Sequence, residues 1–113
     1  MMALNKHYKK WDIVLVSLDP IKGKEISKTR PCLIISPNAM NKHLNTVIVA
    51  PVTSSEKNYP SRLRTNFKGR PGAICFDHIK SIDKERIIQL QGTLENSLRR
   101  PANELLREMF SEE

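Results

Sequence analysis

Arg30 stands directly before Pro31 at the mouth of an apolar run, Cys32-Leu33-Ile34-Ile35, and Thr53-Ser54 closes a second run, Val47-Ile48-Val49-Ala50. If the two runs pair as strands, a fixed guanidinium and a hydroxyl meet at one rim of a small barrel. Proline confines the residue before it to extended backbone, which helps fix the direction of Arg30. A guanidinium stays charged and can hold two phosphate oxygens at once. Beside an alcohol, it suits a doubly negative phosphorane. The chemistry such a pair could serve is metal-free RNA cleavage. There the 2′-OH attacks its neighbouring phosphorus and leaves a 2′,3′-cyclic phosphate and a 5′-OH. Alone, an Arg-Pro step is more often a surface feature, and a strand-end threonine often bonds backbone. The combination is what points to a site.

Other residues could assist. Glu25 sits in a polar loop with Lys22, Lys24 and Lys28, where a glutamate is usually just solvated but could act as a general base. Asp77-His78, at the end of an apolar run, offers an acid/base pair, with Asp77 the catalytic candidate; His78 has an imidazole suited to proton transfer but reads more often as a bystander, and is counted with the RNA-binding residues. Ser54 is a second hydroxyl. The three loop lysines, with Arg62, Arg64 and Lys68, are candidates to track a phosphate backbone, each neutralised phosphate adding about −0.7 to the salt slope on a single strand. Aromatic residues are only 5% of the chain, which argues against a stacking platform and leaves Trp11, Tyr59 or Phe67 for one stack at most.

The elements that must position these groups follow from the pattern. At 113 residues there is room for one domain, 1–113, with one core. Lys and Arg number 19 against 12 Asp and Glu, a net +7, which favours a polyanionic partner. Strands are predicted over 12–18, 31–36 and 46–50, the last stopped by Pro51. Residues 62–68 alternate, with Leu63, Thr65 and Phe67 on one face and Arg62, Arg64 and Lys68 on the wet one. Gly69 to Gly72 reads as a turn, 73–76 as a strand, 79–83 as a link, and 86–91 as a last strand with Ile88 and Leu90 inward. Leu94, Leu98, Ala102, Leu105 and Met109 recur at helical spacing. Pro101 favours a helix start between Ser97 and Pro101, running to about Ser111. Residues 1–10 are polar and read as frayed. The expected class is mainly β with helices: an SH3-like barrel of five to six strands with a C-terminal helix.

No run approaches the roughly 20 apolar residues that span a bilayer. The N-terminus carries no apolar leader, so a cytoplasmic location and no membrane partner are expected. Cys32 and Cys75 lie in apolar runs and read as buried free thiols, with a disulfide as the alternative. They lack CxxC spacing, and His7, His43 and His78 are scattered, so neither metal nor cofactor is expected.

Taken in order, WDIVLVSLDPIKGKE, KTRPCLIISP, VIVAPVTS, GAICFDHIKSIDKERI and GTL resemble the MazF/PemK (Kid-type) toxin endoribonucleases over roughly residues 11–94. The resemblance implies an SH3-like barrel, a homodimer, and metal-independent, sequence-selective cutting of single-stranded RNA. It also implies a cognate antitoxin that lies across the dimer; such a partner should be acidic and partly disordered when free. Arg30, Thr53, Glu25 and Asp77 fall on family positions. Two departures stand out. Trp11 precedes Asp12 where the family commonly has glycine. Cys75 stands where some Kid-like members carry a second catalytic arginine. Two other functions remain open: a gyrase-poison-like toxin of the same barrel class, acting on a protein, and an RNA-binding barrel that does not cut. Gyrase poisons use a Trp-Gly-Ile type C-terminus, whereas Phe110-Ser111-Glu112-Glu113 stands here.

Overall fold

Successive side chains of a strand point to opposite faces, and in the middle of this sheet both faces are covered. β1 (Asp12–Ser17), β2 (Thr29–Ile34) and β3 (Thr46–Thr53) give Ile13, Leu33, Ala50 and Val52 to one core, with Ile74, Phe76, Leu94 and Ala102. Their opposite faces give Val14, Val16, Cys32, Ile34, Val47 and Val49 to a second core, with Ile82 and Ile87. Burial on both sides explains why these runs read as continuously apolar. The computed structural model describes residues 7–17, 28–54 and 58–113.

The remaining elements are α1 (Asn38–His43), β4 (Arg62–Phe67), β5 (Arg70–Cys75), β6 (Lys80–Asp83), β7 (Ile87–Thr93) and α2 (Asn96–Phe110). The strands form one curled antiparallel sheet in the order β4-β5-β3-β2-β1-β7, with β6 also against β3. The expected class therefore holds, with one strand more than foreseen. Residues 80–83, read as a link, pair with the start of β3 from Thr46↔Asp83 to Val49↔Lys80.

Several boundaries differ, each for a local reason. β3 passes through Pro51 to Thr53, because Pro51 falls where its neighbour changes from β6, last paired at Val49, to β5, first paired at Val52. A proline there interrupts neither ladder. β2 begins at Thr29, so Arg30 lies within the strand. The turn before β5 is shorter than predicted: Lys68 and Gly69 both take positive φ (53° and 77°), joining Phe67 to Arg70 as a two-residue hairpin.

Ile88 and Leu90 point outward, at 50% and 60% exposure, and Ile87 is the buried residue. Between Leu15↔Gln89 and Val16↔Ile87 the strand β7 inserts one extra residue, and it does so again between Ile13↔Gly92 and Val14↔Leu90. Such bulges reverse the facing that simple alternation predicts.

α2 packs Leu98, Ala102 and Leu105 on the first core, while Met109, placed on the same stripe by its spacing, is 37% exposed. The helix starts at Asn96 and holds Pro101 inside it. Its start is pinned by Leu94 N–H on Trp11 O (2.8 Å) and by Arg99 Nε on Leu94 O (3.0 Å), which supports a helix that proline would otherwise weaken.

Lys9 and Lys10 are tied down rather than frayed: their N–H groups donate to Asp12 Oδ2 and Asn38 Oδ1. Trp11 takes φ 81°, a left-handed conformation that favours glycine, so the glycine of the resembling family has a backbone reason. Here the position is held by Trp11 N–H on Ile34 O (2.8 Å) and by the ring's packing on the first core.

One buried polar knot ties α1 to β3. Ser36 Oγ donates to Asn41 Oδ1 (2.5 Å) and accepts from Ile48 N–H (3.0 Å); Asn41 Nδ2 donates to Ser36 O (2.9 Å). Both residues are 1% exposed. Asn41→Ala strands the Ser36 groups and should lower stability by about 1–3 kcal/mol. Urea unfolding measures this; an unshifted midpoint would show that water replaces the amide.

Candidate active site

Arg30 and Thr53 arrive at the same rim. β2 and β3 pair as Ile34↔Val49, Leu33↔Ala50 and Cys32↔Pro51, and the same register continued two residues further sets Arg30 level with Thr53. Both lie on the sheet face that carries Cys32, Val49 and the second core, just beyond its end.

Two crevices meet at this pair. One, of about 310 Å³, is lined by Arg30 and Thr53 with Lys28, Arg62, His78 and Lys80, and floored by Pro51 and Cys75. The other, of about 360 Å³, has the same two residues with Thr29, Pro31, Ser54, Phe67, Arg70 and Gly72. Each has the volume of a small-ligand site. The first is strongly cationic, and the second adds an aromatic ring and two further hydroxyls, those of Thr29 and Ser54.

Of the residues singled out in the sequence, Arg30, Thr53, Lys28, Ser54, Arg62 and His78 are brought together. Asp77 sits behind them: its Oδ1 accepts from Arg62 Nε (3.4 Å) and its Oδ2 lies 3.3 Å from His78 Nε2. Arg64 and Lys68 line neither crevice; Lys68 Nζ lies instead 5.7 Å from the Phe67 ring centre. Lys22, Lys24 and Glu25 lie outside the described residues.

Arg62 departs from its expected place on a wet face. Its side chain is only 13% exposed, because it lies between Asp77 and the Tyr59 ring, whose centre is 4.7 Å from the guanidinium carbon. Lys80 and Arg70 were missed. Lys80, which opens β6, was hidden by reading residues 79–83 as a link. Arg70 was hidden by reading its strand as a turn.

Partial burial pushes the Asp77 carboxyl up, but the Arg62 hydrogen bond, with help from a backbone donor, Ser61 and the guanidinium charge, more than offsets this and holds it below the ordinary value. Its contribution to stability is therefore complete above about pH 4 and fades only as acid reaches its lower folded value. At neutral pH it is a carboxylate and has no proton to give. Burial pushes the Cys32 thiol up to about 11 and raises that of Cys75, so both thiols stay protonated. Both are free. Among the described residues, no group of three or more His, Cys, Asp or Glu converges as a metal site would require.

Gly72 sets the position of Thr53. A Cβ at Gly72 would lie 2.6 Å from Thr53 O, closer than any side chain permits. Only glycine lets β5 approach β3 here. Gly72→Ala should cost about 1–3 kcal/mol through overpacking. Thermal unfolding measures it, and an unchanged midpoint would mean that β5 retreats without penalty.

The family model for PemK-like, MazF-like toxins of type II toxin-antitoxin systems matches residues 9–110. The endoribonuclease toxin MazF of Escherichia coli (strain K12) is 32% identical over 71 residues, or 63% of this chain. That match spans 64% of the relative, slightly less than two thirds of its length. A chain of the MazE-MazF crystal structure (Form-II) from Deinococcus radiodurans superposes with a TM-score of 0.78 at 24% identity, over 92% of this chain and 96% of that one. An endoribonuclease in complex with its cognate antitoxin, from Mycobacterial species, gives 0.75 at 20% identity, over 89% and 92%. The structural likenesses speak for the fold. With a family model that spans nearly its whole length, the chain belongs to the PemK-like, MazF-like toxins of type II toxin-antitoxin systems.

Proposed function

We propose that this chain is an endoribonuclease toxin that cuts single-stranded RNA, mRNA above all, at selected sequences and so stops translation and growth. The observation that carries the reading is the shared rim: Arg30 and Thr53 line both crevices, in a surrounding of Lys28, Arg62 and Lys80. In this reading the scissile phosphate sits at the junction and its flanking nucleotides enter the two crevices. Arg30 neutralises the non-bridging oxygens as the phosphorane forms. The Thr53 hydroxyl donates to one of those oxygens or orients the 2′-OH. The 2′-oxygen bonds to phosphorus, the bond to the 5′-oxygen breaks, and a proton must leave the first oxygen and reach the second.

Glu25 is the proposed general base, on its family position. Asp77, already ionised and bound to Arg62, is the poorer acid; His78, in the crevice itself, is better placed to deliver the proton. Ser54, Lys22, Lys24 and Lys28 hold flanking phosphates. The chain works as a homodimer in the cytoplasm, with an acidic antitoxin covering the cationic groove. The toxin and antitoxin named together in the related structures support that partner.

Purified protein incubated with RNA in EDTA should yield fragments with 2′,3′-cyclic phosphate and 5′-OH ends. Fragments ending in 3′-OH would overturn the mechanism. Intact RNA with salt-dependent binding would favour a non-cutting barrel, and inhibition of supercoiling without RNA cleavage a toxin aimed at a protein. Arg30→Ala should lower the cleavage rate by roughly 10²–10³. Near-normal cutting by that variant would remove Arg30 from its assigned role.

A further inference from the structure

Among the cations of the first crevice, Arg62 has a described brace on two sides. It opens β4 directly across from Cys75, which the register Arg62↔Cys75 places on the crevice floor. Asp77 holds Nε from one side, at 3.4 Å, and the Tyr59 ring lies against the guanidinium from the other, at 4.7 Å. Its own N–H donates to Tyr59 O (3.0 Å), and Ser61 O accepts from Phe76 N–H (3.0 Å), so the peptide unit that leads into it is held through both its carbonyl and its N–H. At 13% exposure the side chain has little freedom left to lose on binding.

A guanidinium carries five N–H donors in a rigid fork. Asp77 engages the Nε edge, and the other donors belong to the terminal Nη atoms, the pair suited to bidentate phosphate contact. A cation that only follows a nucleic-acid backbone needs no such bracing: Arg64, on the same strand, is exposed and lines neither crevice. A preorganised donor is what stabilises charge that develops during reaction.

We propose that Arg62 is a second catalytic cation, donating to the reacting phosphate opposite Arg30, and that Asp77 is a positioning residue acting chiefly through Arg62, its other oxygen lying 3.3 Å from His78 Nε2. The inference rests on the nuclease reading above and names a further part of that same site.

The test is single-turnover and steady-state cleavage of a short RNA by the wild-type protein and by Arg62→Met, Asp77→Asn, Arg62→Met with Asp77→Asn, and Arg30→Ala. Arg62→Met should lower kcat by about 10²–10³ with KM little changed. Asp77→Asn should lower kcat by a smaller factor, and the double variant should come close to Arg62→Met alone, because a positioning residue adds little once its client is gone. A change confined to KM, or an unchanged kcat, overturns the role of Arg62. A double variant showing the product of the two single losses overturns the role of Asp77. Should Arg62→Met fail to fold, Arg62→Lys keeps the charge and most of the bulk. A kcat at least tenfold down then supports the proposal, and a wild-type kcat overturns it. If wild type and Arg30→Ala differ as expected while Arg62→Met cuts normally, only this inference falls. If wild type does not cut, the nuclease reading falls with it.

Discussion

The register of β2 on β3 is the constraint on which everything at the rim depends. A slip of one residue in a strand exchanges its two faces. Most strands resist a slip because one face is apolar. Here both faces of β1–β3 are buried, so polarity alone does not forbid it, and shape must. Along β2, Leu33 faces the first core and the smaller Cys32 the second. A slip would drive Leu33 into the space of Cys32, an overpacking that close-packed interiors tolerate poorly. The difference in size between neighbouring side chains of β2 thereby helps hold Arg30 opposite Thr53, some distance from where the energy is spent.

Pro51 converts that register into a site. It ends the pairing of β3 with β6 and lets the last residues of the strand turn toward β5. The close approach at Gly72 then holds Thr53 against β5, and β5 carries Cys75, whose partner is Arg62. Two pairs, Cys32↔Pro51 and Arg62↔Cys75, lie on either side of the β3–β5 junction, and Pro51 and Cys75 both line the crevice that receives cations from β2 and β4.

Much of this was legible in the residues because it is local. Arg30-Pro31 and the Thr53-Ser54 strand end lie beside apolar runs whose burial is unmistakable, and the helical spacing of Leu98, Ala102 and Leu105 marks α2. What stayed hidden is non-local. The two bulges that turn Ile88 and Leu90 outward exist only in the pairing of β7 with β1. The passage of β3 through Pro51 needs the knowledge that two different strands flank it. Arg62 read as one of three equal cations because alternation gives a side of the strand and says nothing of Asp77, fifteen positions on, or of the ring of Tyr59.

The crevice is also informative about which chemistry its protein groups can initiate. Its described cysteine, Cys75, is buried and its thiol is pushed up in spite of the nearby guanidinium groups, so thiolate is scarce. A threonine hydroxyl becomes a nucleophile only when a base activates it. The dominant feature is therefore fixed positive charge around a hydroxyl. Such a surface offers electrostatic stabilisation and orientation more readily than covalent attack. Under the nuclease reading this division is coherent: the 2′-OH of RNA supplies the nucleophile from the substrate, and the protein supplies the field in which the phosphorane forms. A polymer that carries its own nucleophile beside every phosphate needs from its enzyme mainly the charge, held rigidly, and the means to move one proton.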